Sequence, residues 1–364
     1  MKLLQKLVQI KSISGQERAL ACFIMDYCRA NAVPAQMQSG NVVIYIKGEN
    51  QSKALIFNAH MDTVSSGDLS KWRFPPYGKG AGKIIGGKLY GLGASDDKGA
   101  IAAMLGVAKN MGNPPLDLWL VFVTNEETDG SGTAKFLTNS TYSKYFKRYK
   151  KIAAVIGEPT DLKSIEIGHR GNAFIKLETT GVSGHAAREY QENDLAVEKM
   201  MKAVSILKET FVSWRKKYKD PILGVPAMNI SSFNTANQTV NRIHSSCSVT
   251  LDIRTTPRLH EKITDLINKV VGNGIKITHI VEVKPPGYTS TEGAIVRTCK
   301  KVLPALSLTI SMGSTDLSQF SQIGIEAVNL GPGNKDVIHK ENEYIEVSKV
   351  LKCVKLYKKI IQNF

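Results

Sequence analysis

The chain has 364 residues, of which 42% are hydrophobic and 22% charged, and this composition is typical of a globular protein with room for two domains. Its net charge of +16 would attract anionic partners, but no nucleic-acid-binding motif accompanies the basic clusters, so small anionic substrates are favoured over nucleic acid. No run reaches the roughly 18 apolar residues of a membrane span, and the N-terminus does not have the pattern of a signal peptide. The five cysteines lack paired spacing. Together these features predict a cytoplasmic protein with reduced thiols and no membrane contact.

In chain order, the first predicted element is a helix from Gln16 to Ala30, opened by Ser14 with Glu17 three residues later, the spacing of a capping box. Short continuous apolar runs follow and alternate with helical patterns. Such runs are typical of strands covered on both faces, as in an α/β sheet. The four clearest are Ala54–Asn58, Leu118–Thr124, Ala153–Ile156 and Glu326–Leu330.

The middle of the chain follows a different pattern. Strand-like and helix-like segments alternate there in the order β-α-β-β-α-β, which suggests a four-stranded sheet with two helices on one face. We therefore predict an inserted α+β domain at residues 173–284, and a main domain formed by residues 1–172 plus 285–364. The segments of the inserted domain are Ala173–Gly181, Asp194–Phe211, Pro226–Ser232, Ser246–Arg254, His260–Val271 and Ile275–Val283.

Histidine or carboxylate residues follow each of the four apolar runs. In open α/β sheets, ligands bind just beyond the carboxyl ends of the strands, so we expect these side chains to meet. In chain order they are His60 and Asp62, Glu126 and Glu127, Glu158, and His339.

His60 and Asp62 are two residues apart, and in an extended strand such residues project to the same face. One can then bind a metal while its neighbour holds it, because metal-bound histidines usually donate their second ring nitrogen to an oxygen. On its own, an H-x-D pair is more often an ordinary surface or core histidine.

The segment 91–99, with the sequence GLGASDDKG, predicts a tight turn that places Asp96 near the start of a helix at Gly99–Met111. Because a carboxylate has two oxygens, one residue can bridge two cations about 3.5–4 Å apart. A phosphate-binding glycine loop or a simple turn is the alternative. The third glycine of the dinucleotide motif is absent, and the acidic residues would repel phosphate.

Glu126 and Glu127 are adjacent carboxylates at the end of a buried strand, where they repel each other unless metal or protons offset the charge. Their side chains point apart, so one can bind a metal while the other acts as a base. An exposed acidic turn is the alternative. With Glu158 and His339 the set is rich in oxygen and nitrogen and contains no sulphur, which suits Zn²⁺, Co²⁺ or Mn²⁺ in an open catalytic site.

Six ordered motifs resemble those of the zinc metallopeptidase and deacylase family that includes succinyl-diaminopimelate desuccinylase, acetylornithine deacetylase, aminoacylases and the glutamate-releasing carboxypeptidases. They are H-M-D, G-L-G-A-S-D-D-K-G, T-N-E-E, G-E-P-T, G-x-S-G-H and I-H-K-E-N-E, from His60 to Glu343. The resemblance implies an α/β catalytic domain with a mixed sheet flanked by helices, and an inserted lid that pairs with its twin in a homodimer.

The resemblance also implies how the two zinc ions are held. Asp62 would orient His60, and Glu126 would be the general base that takes a proton from the attacking water and passes it to the leaving amine. The zinc ligands would be His60, Asp96 and Glu158 at one ion, and Asp96, Glu127 and His339 at the other.

For the substrate, the resemblance implies that His185 reaches into the partner's site and steadies the oxyanion, with Asn241 in the same region. Arg254 would bind the substrate carboxylate, which suits the bidentate fork of arginine. A plain packed histidine and a plain surface salt bridge are the alternatives for His185 and Arg254. The loop expected to line the pocket comprises Gly313, Ser314 and Thr315.

The implied reaction removes an acetyl or succinyl group from an N-acyl amino acid or diamino acid of a biosynthetic pathway. The sequence departs from the desuccinylase pattern at His169–Asn172 and at Arg188, and the loop Gly331–His339 has the length seen in acetylornithine- and acyl-lysine-type deacetylases. The alternative enzyme is a dipeptidase or carboxypeptidase with the same site. A metal-binding or nucleic-acid-binding protein without catalysis is the alternative from another class.

Overall fold

The computed structural model describes residues 2–235, 239–280 and 284–364. The chain divides into two compact units, which are described separately. The first extends to Gly168 and also includes Tyr288–Ser311 and Thr315–Phe364; the second comprises His169–Gly287 and Met312–Ser314. Within the described ranges, no helix combines the length and the apolar character that crossing a membrane requires.

Strands and helices are numbered along the described part of the chain. The strands are β1 (Ala35–Gln38), β2 (Asn41–Ile46), β3 (Asn50–His60), β4 (Lys83–Ile85), β5 (Lys88–Tyr90), β6 (Leu116–Val123), β7 (Lys151–Pro159), β8 (Ser164–His169), β9 (Gly171–Thr180), β10 (Gly184–His185), β11 (Ala227–Thr235), β12 (Arg242–Ile243), β13 (Ser246–Thr255), β14 (Ile275–His279), β15 (Gly287–Tyr288), β16 (Ser307–Ser311), β17 (Glu326–Gly331) and β18 (Tyr344–Glu346). The helices are α1 (Lys2–Gln9), α2 (Arg18–Ala30), α3 (Gly99–Lys109), α4 (Ser131–Thr138), α5 (Ser140–Phe146), α6 (Ala196–Lys217), α7 (Pro257–His260), α8 (Ile263–Val271), α9 (Ala294–Val302), α10 (Leu317–Gln322) and α11 (Val347–Asn363).

The first unit is built on a mixed sheet in the order β1-β2-β6-β3-β7-β17-β8-β15, with β16 beside β8. Its four central strands, β6, β3, β7 and β17, run parallel, and they are the four strands predicted from the apolar runs. Strand β6 is buried along its whole length, because α4, α5 and α10 cover one face of the sheet and α3 and α11 cover the other. The expected mixed α/β fold with flanking helices is confirmed.

Glycine allows two of these parallel strands to approach closely at their carboxyl ends. A Cβ atom at Gly331 of β17 would lie 1.7 Å from the carbonyl oxygen of Gly157 and 2.6 Å from that of Glu158, both on β7. Only a residue without a side chain fits there. The close approach places the end of β17 directly beside Glu158.

The second unit contains a four-stranded antiparallel sheet in the order β11-β13-β9-β14. Alternate residues of β9 and β13 are buried, and they pack against α6 and α8 on one face. This is the β-α-β-β-α-β arrangement expected from the sequence, although the second predicted helix is divided into α7 and α8. The predicted strand Ile275–Val283 ends at His279 in β14, and residues 281–283 lie outside the described residues.

A two-stranded ribbon, β10 paired with β12, was not predicted. Each of its strands has only two residues, which is too short for an alternating pattern to be recognised. The ribbon carries His185, so the structure gives a local setting to a residue that the sequence placed only by motif.

Candidate metal centre

Five acidic and histidine side chains converge at the carboxyl ends of the four central strands in the first unit. His60 is the last residue of β3, and Glu126 and Glu127 follow β6. Glu158 lies near the end of β7, and the loop after β17 leads to His339. Parallel strands deliver their carboxyl ends to one edge of a sheet, so the convergence expected from the sequence is what the fold produces.

Asp96 lies between the two histidines. It sits in the helical turn Ala94–Lys98, immediately before α3, and is 6% exposed. Its Oδ1 atom is 3.0 Å from Nε2 of His60, and its Oδ2 atom is 3.4 Å from Nε2 of His339. The two oxygens of one carboxylate therefore face two different histidines, which is the arrangement that a bridging ligand requires.

The remaining donors complete two overlapping groups. Oε1 of Glu127 is 2.9 Å from Nε2 of His339. Ligand atoms of each group lie within 4.8 Å of one another. The groups are His60, Glu126 and Glu158, and His60, Asp96 and Glu127.

The electrostatics of these side chains favour a bound cation. Burial raises the pKa of Glu158 well above its usual range, and the charges of Asp96 and Glu126 raise it further. Burial alone would lower the pKa of His60, but its contacts with Asp62 and Asp96 outweigh burial and raise it well above the usual value. A divalent cation relieves the repulsion between the carboxylates, so the donor set fits a metal.

The centre is open on one side. The side chain of His60 is 2% exposed and that of Asp96 7%, whereas the side chain of His339 is 48% exposed. Hydrogen bonds with Asp96 and Glu127 raise the pKa of His339 to about 10. Catalytic metal sites keep such an open side for substrate, whereas structural sites are closed.

Asp62 supports the centre through more contacts than the sequence indicated. Nδ1 of His60 lies 2.9 Å from the backbone oxygen of Asp62 and 3.5 Å from its Oδ1 atom. Oδ1 of Asp62 also accepts a hydrogen bond from the backbone N–H of Glu126 (3.0 Å), and Oδ2 accepts one from that of Glu127 (3.0 Å). One fully buried carboxylate thus holds both the histidine and the two glutamates.

Two residues of the predicted capping box serve this centre instead of the helix. Helix α2 begins at Arg18, and no side chain caps its N-terminus, so the capping-box prediction is wrong. The hydroxyl of Ser14 donates to Oδ2 of Asp62 at 2.7 Å. Oε1 of Glu17, which is buried, accepts from the backbone N–H of Asn125 at 3.1 Å and steadies the turn before Glu126.

His185 and Asn241 lie together on the exposed ribbon of the second unit. The backbone N–H of Ala186 donates to the carbonyl oxygen of Asn241 at 2.9 Å, and Nδ1 of His185 accepts from the N–H of Ala187 at 3.2 Å. Both side chains are exposed. The ribbon joins β13 through the short segment between Arg242 and Ser246.

Arg254 lies at the other end of β13. Its Nε atom is 2.8 Å from Oδ1 of Asp252, its Nη2 atom is 3.0 Å from Oδ2, and its guanidinium lies over the ring of Phe174. Eight residues separate it from Ser246, which is about 26 Å of extended strand. The ribbon is tethered within about four residues, or 14 Å, of Ser246. The backbones of His185 and Arg254 therefore stay about 12 Å or more apart.

The predicted glycine-hydroxyl loop is divided between the two units. Gly313 and Ser314 belong to the second, where Ser314 accepts a hydrogen bond from Asn172 at 3.3 Å. Thr315 belongs to the first, where it is buried and bonds to Asn329 of β17 at 3.3 Å. The substrate contacts expected of this loop stay a prediction.

Comparisons with known proteins show which family the sequence matches. The sequence profile of Peptidase family M20/M25/M40 matches residues 56–363. The chain is 29% identical to the acetylornithine deacetylase of Buchnera aphidicola subsp. Schizaphis graminum, over 85% of this chain and 80% of that protein. It is also 29% identical to the succinyl-diaminopimelate desuccinylase of Wigglesworthia glossinidia brevipalpis, over 85% of this chain and 83% of that protein.

Solved structures share the fold. An M20 family metallo-carboxypeptidase from Sulfolobus solfataricus aligns with a TM-score of 0.76 at 21% identity, covering 100% of this chain and 98% of that one. A dinuclear metal binding peptidase of the M20 family from Bacillus subtilis aligns with a TM-score of 0.72 at 12% identity, covering 100% and 98%. At these identities the likeness concerns the fold.

Proposed function

Because the chain belongs to peptidase family M20/M25/M40 and is a metal-dependent hydrolase of amide bonds, we propose that it removes an acetyl or succinyl group from an N-acyl amino acid or diamino acid. The observation that carries the proposal is the convergence of two histidines and four carboxylates at one edge of the parallel strands. Its open side, next to His339, gives a small substrate access.

Two cations, zinc in the first instance and cobalt or manganese as substitutes, fit the donors. His60, Asp96 and Glu158 would hold one of them. Asp96, Glu127 and His339 would hold the other, since each oxygen of Asp96 already faces a different histidine. When bound, such a pair lowers the pKa of water and polarises the scissile carbonyl.

Glu126 is the residue we assign to proton transfer. It is 7% exposed, and its backbone N–H donates a hydrogen bond to Asp62 at 3.0 Å. This bond fixes the backbone of Glu126, so its side chain starts from a fixed position beside His60 and Glu158. In the proposed reaction Glu126 accepts a proton from the attacking water and later donates it to the leaving amine.

In this proposal the substrate is held by residues from three parts of the sequence. Arg254 binds the free carboxylate of the amino acid, for which its planar fork is suited. His185 and Asn241 stabilise the oxyanion of the carbonyl under attack, and the residues Gly313, Ser314 and Thr315 line the pocket. Arg254 already faces both carboxylate oxygens of Asp252, at 2.8 and 3.0 Å, and a substrate carboxylate would take the place of Asp252.

We propose that the protein is a homodimer in which each complete site takes residues from two chains. The positions of His185 and Arg254 toward opposite ends of β13 support this proposal. Strand β11 is an edge of its sheet in the described residues and carries the exposed side chains of Ile230 and Phe233. An edge strand with exposed apolar side chains is a surface that proteins cover, and in this proposal a second copy of the chain covers it.

The choice of a deacylase over a peptidase is supported by two relatives that align along most of the chain and are named as a deacetylase and a desuccinylase. The loop Gly331–His339 and the departures at His169–Asn172 and Arg188 favour an acetylated diamino acid over succinyl-diaminopimelate. A panel of zinc-loaded assays on acetyl-ornithine, acetyl-lysine, succinyl-diaminopimelate and simple dipeptides decides this point. If the protein hydrolyses only the dipeptides, it is a dipeptidase, and the proposal of a deacylase is wrong.

The substitution Glu126→Gln tests the proposed reaction. It removes the base and keeps the size of the side chain, so we expect turnover to fall by about two to four orders of magnitude while the zinc content stays near that of the wild type. Zinc content by elemental analysis and kcat on the best substrate are the measurements. Wild-type turnover in the variant would show that another group moves the proton.

A further inference from the structure

The motif that contributes His339 contains another acidic residue, Glu343, to which the proposed reaction gives no role. Its side chain is fully buried, with 1% of the residue exposed, and it lies against the turn that carries Asp96, although 247 residues separate the two. An uncharged, apolar residue would be the simpler occupant of such a position, so the contacts of the carboxylate need a reason.

Glu343 accepts three backbone hydrogen bonds from this turn. Oε2 accepts from the N–H of Gly93 at 3.0 Å, and Oε1 accepts from the N–H groups of Ser95 at 2.7 Å and Asp96 at 3.1 Å. The turn begins in a left-handed conformation, with φ of 77° at Gly93, where a Cβ would lie 2.7 Å from Thr63. Its N–H groups thus converge on one carboxylate, as in an anion-binding nest.

Further contacts join the same two segments of the chain. The hydroxyl of Ser95 donates to the carbonyl oxygen of Tyr344 at 2.7 Å, and the N–H of Gly91 donates to that of Glu343 at 2.9 Å. Strand β18, which begins at Tyr344, pairs with β5 just before the turn. The turn that supplies the shared carboxylate and the segment that supplies a histidine are therefore connected directly.

A second buried polar side chain lies near Glu343. Lys98 is also fully buried, and its Nζ atom donates to the carbonyl oxygen of Ile10 at 2.8 Å. Burial lowers the pKa of Lys98 and raises that of Glu343, so the three backbone donors, and not an ion pair, satisfy the oxygens of Glu343 beneath the metal centre.

We propose that Glu343 is a positioning residue of the metal centre: by holding the N–H groups of the turn, it fixes Asp96 so that one oxygen faces His60 and the other faces His339. The inference rests on the proposed function, since it concerns the binding of two cations. Groups that orient a metal ligand in this way affect the affinity for the metal without touching it.

The test compares Glu343→Gln with Asp336→Asn, an acid-to-amide change at an exposed position of the same segment. The glutamine can keep the bonds to Ser95 and Asp96, but its NH₂ group would face the N–H of Gly93. We expect the affinity for Zn²⁺, measured by chelator competition, to fall by about 10–100-fold. The absorption spectrum of the Co²⁺-loaded variant should change as well, and Asp336→Asn should match the wild type in both.

The outcomes separate this inference from the proposed function. A wild-type protein that binds no Zn²⁺ or Co²⁺ overturns both. If the wild type binds two ions and Glu343→Gln binds them with the same affinity and the same Co²⁺ spectrum, only the role of Glu343 is overturned, and a lower melting temperature of the metal-free variant does not rescue it.

A second variant and a second measurement cover the case in which Glu343→Gln does not fold. Glu343→Asp keeps the carboxyl group but is shorter by one methylene, so it should also weaken metal binding. Hydrogen exchange of the metal-free wild type should show slow exchange at the amides of Gly93, Ser95 and Asp96. Fast exchange at these amides would overturn the proposal, because Glu343 would then not hold the turn in solution.

Discussion

At the scale of single residues, the ligands of the proposed centre depend on a small number of buried acceptors. Asp62 receives hydrogen bonds from Ser14, Glu126 and Glu127, and lies against His60. The sequence predicted the contact with His60, because two residues apart on a strand share a face. It did not predict the others, which arise only where separate strand ends meet.

Asp62→Asn should weaken metal binding by about 10–100-fold. The NH₂ group of the asparagine would replace a carboxylate oxygen that accepts a hydrogen bond from the backbone N–H of Glu126 or Glu127. Chelator competition with Zn²⁺ measures the effect. Asp68→Asn is the matched control, since Asp68 is half exposed at its side chain, and its carboxylate accepts hydrogen bonds from Ser70 and lies 3.9 Å from Nζ of Lys71. Equal affinities in the two variants would contradict the supporting role of Asp62.

The pH dependence of metal uptake follows from the raised pKa values in the metal-free protein. With a pKa of about 10, His339 is protonated at neutral pH, and the pKa of Glu158 is raised as well. A proton must leave before such a group can bind a cation. The affinity for the metal should therefore rise with pH, and metal binding should release at least about one proton per chain. Calorimetry in two buffers of different ionisation enthalpy measures the release; uptake without it would contradict the assignment of His339.

At the scale of elements, the centre depends on how closely β7 and β17 approach. The apolar pattern predicted both strands and their ends, because burial on two faces is visible in the sequence. The spacing between them is set by the contact of Gly331 with the backbone of Gly157 and Glu158, and nothing in either strand alone indicates it.

Gly331→Ala should destabilise the protein by about 3 kcal/mol or more, because its Cβ would overlap the neighbouring backbone and the strands would have to separate. Urea unfolding of the metal-free protein measures the change. Gly112→Ala is the control, since a Cβ there meets nothing within 4 Å. Equal stability of the two variants would show that β7 and β17 can move apart here without loss of stability.

At the scale of the whole molecule, the proposed sites need two chains, and mixing inactive variants tests this. Homodimers of His185→Ala or of Arg254→Ala should each be nearly inactive. After unfolding and refolding together, half of the dimers are mixed and one site in each is complete, so about a quarter of the wild-type activity should return. No recovery would contradict the shared site.

The matched control mixes His185→Ala with Asn241→Ala. These two residues lie together on the ribbon of β10 and β12, so every site in a mixed dimer lacks one of them. Activity should therefore stay low. Recovery in this control would mean that the ribbon does not act as one element.

The sequence by itself determined the strands, the β-α-β-β-α-β order of the second unit and the residues at the strand ends. These features are local: a buried strand shows as an apolar run, and a motif occupies neighbouring positions. The prediction of a capping box was wrong because it used only local information. Ser14 and Glu17 have the spacing of a capping box, but their side chains bond to residues that are distant in the sequence.

Only the tertiary structure decided which distant residues support the centre and which lie apart. Ser14 reaches Asp62 across 48 positions, Glu17 reaches Asn125 across 108, and Glu343 reaches Asp96 across 247. A hydrogen bond is made by whatever the packing of helices and strands brings within about 3 Å, and no local pattern records that distance. The separation of His185 from Arg254 along β13 has the same origin, because it is the direction and length of the strand that keep them apart.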